Sequence, residues 1–193
     1  MRRMHPLFLI LALLVVFVPA SAHASLQMAG GKAKREKREK RETLPRKGIY
    51  LATTVRPGAA GFGSSFAPQL TNQWEIGAGV SDHFTLGVAL GGTSYVGLDK
   101  ASFNGDIVAH RFIGKGLFLR GAAGVSSYAP TLAQLPMMPA LGGSAGIGYE
   151  FRVLERVGVG LGVDYDLRMR ADRRASQSWL FGLRFAIYLN KKN

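Results

Sequence analysis

From Gly48 to Asn190 apolar and polar residues alternate in eight short stretches. A period of two marks a strand with one face against an apolar phase. The pattern predicts strands near Ile49–Arg56, Asn72–Val80, Phe84–Gly92, Ser102–Phe112, Leu117–Ser126, Gly143–Arg152, Val157–Arg168 and Trp179–Asn190. One register collects large apolar side chains, such as Trp74, Ile76, Leu86, Val88, Leu161, Phe181 and Phe185. The other holds Glu75, Thr85, Asn104, Asp106, His110, Arg120, Glu150, Asp164, Asp166 and Arg184, with glycines between them.

Such alternation admits two closed barrels of opposite polarity. In a soluble, lipocalin-like barrel the apolar face lines a cavity for an apolar ligand and the charges meet water. In a membrane barrel the apolar face meets lipid and the charges fill the interior. Three features favour the second: the glycine of the polar register, its shortage of exposed lysine, and the aromatics at outward strand ends. The polar register is rich in glycine, which leaves room for arginines in a bore only wide enough for side chains. Aromatic residues stand at outward strand ends: Trp74, Phe84, Phe103, Phe151, Tyr165 and Trp179. Arg111 is the one charge in the apolar register, near a strand end from which a long side chain reaches the interface. The expected fold is therefore an all-β, eight-stranded, antiparallel up-and-down transmembrane barrel.

The predicted connections carry a second signal. Ser81–His83, Gly114–Gly116 and Val153–Arg156 are short, whereas Pro57–Thr71, Thr93–Ala101, Ser127–Gly142 and Met169–Ser178 are longer. Outer-membrane barrels have short periplasmic turns and longer outer loops, so both termini are expected in the periplasm. Ser127–Gly142, with three prolines and two methionines, is unusually apolar for an outer loop and is expected to fold over the mouth or meet a partner.

The N-terminus agrees with export. Arg2 and Arg3 precede an apolar run from Pro6 to Ala20 and a small-residue site at Ala22-x-Ala24. This is the three-part form of a signal peptide, residues 1–24, and the run is short for a spanning helix of about 20 residues. The chain has no cysteine, which excludes lipoprotein anchoring, disulfides and thiol catalysis. Residues 25–47 read as a basic periplasmic linker in which Lys-Arg-Glu occurs three times, at 34–36, 37–39 and 40–42. It lacks an apolar face, and two readings stand: a solvated, partly helical tether, or a periplasmic basic arm touching anionic headgroups or the cell wall. The barrel is expected over residues 48–190, followed by a periplasmic tail at 191–193.

The net charge of +13 loses its nucleic-acid look once it is located. Residues 32–47 contribute +6, and the barrel region 48–190 only +3. No basic, aromatic-studded nucleic-acid surface is evident there.

The closing run Leu180-Phe181-Gly182-Leu183-Arg184-Phe185-Ala186-Ile187 resembles the C-terminal signal read by the barrel assembly machinery. Gly182 and Phe185 match that pattern; Leu180, Ile187 and the terminal Lys191-Lys192-Asn193 depart from it. With eight strands and alternating loops, residues 48–190 resemble the small OmpX/OmpA-type barrels. The resemblance implies outer-membrane location and contact with the assembly machinery during biogenesis, and no particular activity.

Candidate chemistry is sparse. His83 reads as a solvated turn residue. His110 and Asp106 share an inward face but stand about 13 Å apart along the strand, too far for a hydrogen bond. Lipid A deacylases of this architecture pair a His with a Ser two residues on; here that position is Phe112. No catalytic residue, metal site or cofactor is expected. Glu75, Asp106, Arg120, Glu150, Asp164, Asp166 and Arg184 read as a lumen ion network, because unpaired buried charge is costly. In the final long loop, Arg168, Arg170, Arg173 and Arg174 form the best binding candidate, since guanidinium forks suit the phosphates of lipopolysaccharide. The expected role is non-enzymatic: structural, envelope-integrity or surface interaction among outer-membrane lipid. The alternatives are a lipid A-modifying enzyme and the soluble apolar-ligand barrel.

Overall fold

A computed structural model describes residues 46–62, 65–97, 100–114, 116–129, 138–171 and 175–189. The expected signal peptide, the linker up to residue 45, Asn190 and the tail at 191–193 lie outside these. The described chain forms eight strands: β1 Gly48–Phe62, β2 Ser65–Ser81, β3 Phe84–Tyr95, β4 Lys100–Ile113, β5 Leu117–Ala129, β6 Met138–Leu154, β7 Val157–Arg170 and β8 Ala175–Leu189. Each pairs antiparallel with its sequence neighbours, and β8 pairs with β1 to close the barrel.

The registers fix how steeply the strands tilt. Following paired residues from Ile49 leads through Ala78, Leu86, Ala109, Gly121, Ala145, Tyr165 and Trp179 to Ala59, ten residues further along β1. A stagger of that size closes eight strands at the usual tilt of about 40°. It leaves no edge for another chain to pair with.

The strands exceed the predicted stretches, most of all at the first hairpin. The Gly-, Ala- and Ser-rich segment Pro57–Thr71, expected as a long loop, is strand on both sides of a two-residue connection at 63–64. Its backbone is fully laddered, from Pro57 against Leu70 to Phe62 against Ser65. The ladder to β8 is interrupted at Arg56 and Pro57 and resumes at Gly58. Proline has no N–H to give, so a break on one side is its ordinary cost. The remaining connections keep their order of length: short at 82–83, 114–116 and 155–156, longer at 96–99, 130–137 and 171–174. In the tight β4–β5 turn, Gly114 has φ +75°, a conformation that a side chain would strain.

The two faces separate as the alternation requires. Trp74 is 70% exposed, Leu161 56% and Phe181 61%, and Ile76, Leu90, Ile107, Ile147 and Phe185 are likewise on the outer surface. Inside lie Glu75, Asp106, Arg120, Glu150, Asp164 and Arg184, all buried. An apolar outer face of this extent is unfavourable in water and favourable in hydrocarbon. The polarity is the reverse of a lipocalin's. Two aromatic pairs stand on the outer wall, Tyr149 with Phe151 (centroids 4.7 Å apart) and Tyr165 with Trp179 (5.0 Å), as expected of interfacial girdles.

Inward glycines take up the bulk of larger neighbours. A Cβ at Gly87 would lie 2.6 Å from the Tyr50 hydroxyl, and one at Gly158 2.8 Å from the Glu150 carboxyl carbon. The space therefore goes to aromatics and carboxylates, as well as to arginines such as Arg56 beside Gly182.

The only two tryptophans, Trp74 and Trp179, are both outward. Reconstituted in vesicles of brominated-chain phospholipid, the protein should lose most of its tryptophan emission, while aqueous iodide should quench little. Strong iodide quenching without bromine quenching would contradict this orientation.

Candidate functional site

The lumen is built in three tiers. At the end that carries the termini, Glu150 of β6 is the hub. Its Oε2 accepts from Arg184 Nη1 (2.7 Å) and the Tyr188 hydroxyl (2.8 Å). Its Oε1 faces Arg152 Nε at 3.4 Å and Arg46 Nη2 at 3.6 Å. Tyr188 packs on Tyr50, whose hydroxyl donates to Glu75. Glu75 also faces His110 Nδ1 at 3.5 Å, and Thr85 lies 3.4 Å from the same nitrogen.

The middle tier centres on Asp164 and Gln73. Asp164 pairs with Arg56 at 3.1 Å and Arg120 at 3.6 Å. Gln73 Oε1 accepts from both arginines, at 2.9 Å from Arg120, and its Nε2 donates to Asp106 (3.4 Å). Arg120 also donates to Ser144 (2.7 Å). At the loop end, Arg168 makes two parallel bonds to Asp106, 2.8 and 2.9 Å, and reaches Asp166 at 3.0 Å. Asn104 supplies a further donor to Asp106 at 2.8 Å. The fork geometry adds direction to charge attraction.

Above this tier lies a small cavity of about 30 Å³. Gln69, Thr71, Thr93, Ser102, Ser126 and Ser178 line it with hydroxyls and an amide. That volume suits a water molecule or two.

Within the predicted network the structure pairs Arg184 with Glu150 and Arg120 with Asp164; Asp106 and Asp166 meet Arg168 instead, and Glu75 meets Tyr50 and His110. Arg168 is a correction. It was expected in the outer arginine loop, but it lies in β7, in the inward register, 5% exposed and committed to two carboxylates. The seventh predicted strand already ended at Arg168, and the inward alternation runs through it. Arg170 closes β7, and Arg173 and Arg174 fall outside the described residues. The sequence reading missed Arg56, Gln73, Tyr50 and Tyr188, although each shares the register of a residue it did place inside. It also missed Arg46, which lies in the linker before any alternation begins.

The arrangement can neutralise charge and exclude water. His110 is 0% exposed and ringed by Phe112 and Phe118, with the Thr85 hydroxyl 3.4 Å from its Nδ1. Among the described residues, no group of three or more His, Asp or Glu side chains is placed to hold a metal ion.

No family model and no curated protein matches the chain. Among solved structures, Neisserial surface protein A shares its fold, with a TM-score of 0.54 and 15% identity, over 74% of this chain and 98% of that one. Two others have lower TM-scores. Ail, the attachment invasion locus protein of Yersinia pestis, gives 0.46 at 12% identity, over 73% of this chain and 99% of its own. The N-terminal barrel domain of Pseudomonas aeruginosa OprF gives 0.44 at 15% identity, over 74% and 99%. The chain thus has the fold of the small eight-stranded outer-membrane barrels.

Replacing Glu150 with Gln removes the charge on which three guanidiniums converge. Loss of one partner of a buried pair costs about 3–5 kcal/mol. Urea unfolding in lipid vesicles should show a destabilisation of that size, whereas an unchanged midpoint would show that Glu150 is solvated.

Proposed function

We propose that this protein is an exported, non-enzymatic outer-membrane barrel with a structural, envelope-integrity or surface-interaction role. One observation carries the reading: an apolar outer wall encloses a lumen whose charges are spent on one another. Such a wall belongs in a bilayer, and among the described residues the lumen is filled by paired charges. The shared fold with a protein described as a surface protein is consistent with this role. Both termini then face the periplasm, because three of the four connections at the opposite end, 96–99, 130–137 and 171–174, are longer than those at their own.

Contact with lipopolysaccharide falls to Arg170 and, by their sequence position, Arg173 and Arg174. Arg170 is half-buried at the end of β7, and surface-type ionic contacts of about 0.5 kcal/mol from each of the three arginines would amount to roughly tenfold in affinity. Replacing all three with Gln should weaken lipopolysaccharide binding by about that factor and flatten its salt dependence. Unchanged binding would remove the role. The broader reading is tested by fractionation and flux. The native protein should stay with the outer membrane until detergent is added, and vesicles containing it should admit no sugar beyond the empty-vesicle rate. Recovery in a detergent-free periplasmic extract would contradict the membrane assignment. A lipid A mass profile that changes with the protein's presence would contradict the non-enzymatic one.

A further inference from the structure

The chain just before β1 does not hang away from the barrel. Arg46 is 1% exposed, the lowest exposure of any arginine described. Its backbone passes directly over Gly79 of β2, and a Cβ there would lie 3.0 Å from Lys47 N and closer still to the Arg46 carbonyl. Gly48, at φ +104°, then turns the chain into the β1 ladder. A side chain would obstruct the crossing at Gly79 and strain the turn at Gly48. The two glycines together let the segment fold inward across the barrel's terminal end.

Once inside, the Arg46 side chain makes contacts on separate strands. Its guanidinium carbon sits 3.6 Å from the centre of the Phe112 ring on β4, a cation–π distance. Nη1 donates to the Asp82 carbonyl in the β2–β3 turn at 3.2 Å. Nη2 faces Glu150 on β6 at 3.6 Å, an ionic contact longer than a hydrogen bond. Arg152 approaches Glu150 from its own strand and stacks 3.7 Å from the Tyr188 ring centre. Two guanidiniums, each on an aromatic ring, thus meet at one carboxylate across the opening. Beneath them lie Tyr50, Thr85 and His110, each 0% exposed.

We propose that Arg46 is a stopper: it seals the barrel's terminal end, and withdrawing it admits water to the packed side chains around Thr85 and His110. Of the groups forming this seal, Arg46 alone belongs to the segment before the strands. It can therefore leave without breaking the ladder, and the state of the N-terminal segment becomes coupled to the state of the lumen.

The absence of cysteine makes the test direct, because any introduced thiol is the sole one. Thr85→Cys reports on the packed side chains beneath Arg46, and Ser178→Cys reports on the cavity at the loop end. Each is placed in the otherwise native chain and in Arg46→Ala and Arg46→Lys backgrounds. All are reconstituted in vesicles and treated with a small, charged methanethiosulfonate reagent. Circular dichroism and heat-shifted gel migration confirm folding first. With Arg46 present, the thiol at position 85 should react slowly. Arg46→Ala should accelerate it at least tenfold and leave position 178 unchanged. Arg46→Lys keeps the charge but loses the planar stack on Phe112, and should fall between. Equal rates at position 85 with and without Arg46 would overturn the stopper. So would equal acceleration at both positions, because Arg46 would then be a brace for the whole barrel.

Discussion

A carboxylate or guanidinium inside an eight-stranded barrel in a bilayer has little water to retreat to, so it must be paired where it stands. Removing one partner from such a pair costs several kcal/mol. That constraint organises the rest of the molecule. Glu150 gathers three arginines and a tyrosine at one end, Asp164 holds two arginines in the middle, and Arg168 bridges two aspartates at the other end. Gln73 joins the upper two groups by accepting from arginines and donating to Asp106. Neutral groups such as Gln73, Asn104 and Ser144 stand between the charges and bond to them, and linked polar groups of this kind reinforce one another.

The wall must yield volume for that filling. Glycines facing inward at positions 77, 87 and 158 stand where Tyr50 and Glu150 come closest to the backbone. The same strands carry Ile76, Leu86, Leu161 and other large residues on the outer face. One side of each strand is small because the bore is narrow, and the other is large because lipid is the solvent. The ten-residue stagger then decides which distant side chains meet. Arg168 and Asp106 are 62 positions apart and on strands that are not neighbours, yet their fork is among the best formed in the lumen.

The alternation made the strand count, the closure and the choice of inner face legible, since each needs only a period and a sign. Partnering was less legible, because it depends on stagger and on reach across the bore. Arg168 and Pro57–Thr71 show how composition can mislead near strand ends. Arginines close in sequence resemble a surface loop, and a run of Gly, Ala and Ser resembles a mobile one, but both segments continue the inward–outward rhythm and are laddered. Arg46 lay beyond any periodic signal: its place follows from the crossing at Gly79, which no local pattern announces.

The central claim is that the inward charges are held by one another and not by water. A double-mutant cycle on Arg168 and Asp106, using Arg168→Met, Asp106→Asn and the pair, tests it through unfolding free energies in lipid vesicles. Paired in a water-poor lumen, the two residues should show a coupling of about 1.5–3 kcal/mol, with the double variant far less destabilised than the sum of the singles. Additive single effects, with a coupling near zero, would mean that each charge is separately solvated and would contradict the account.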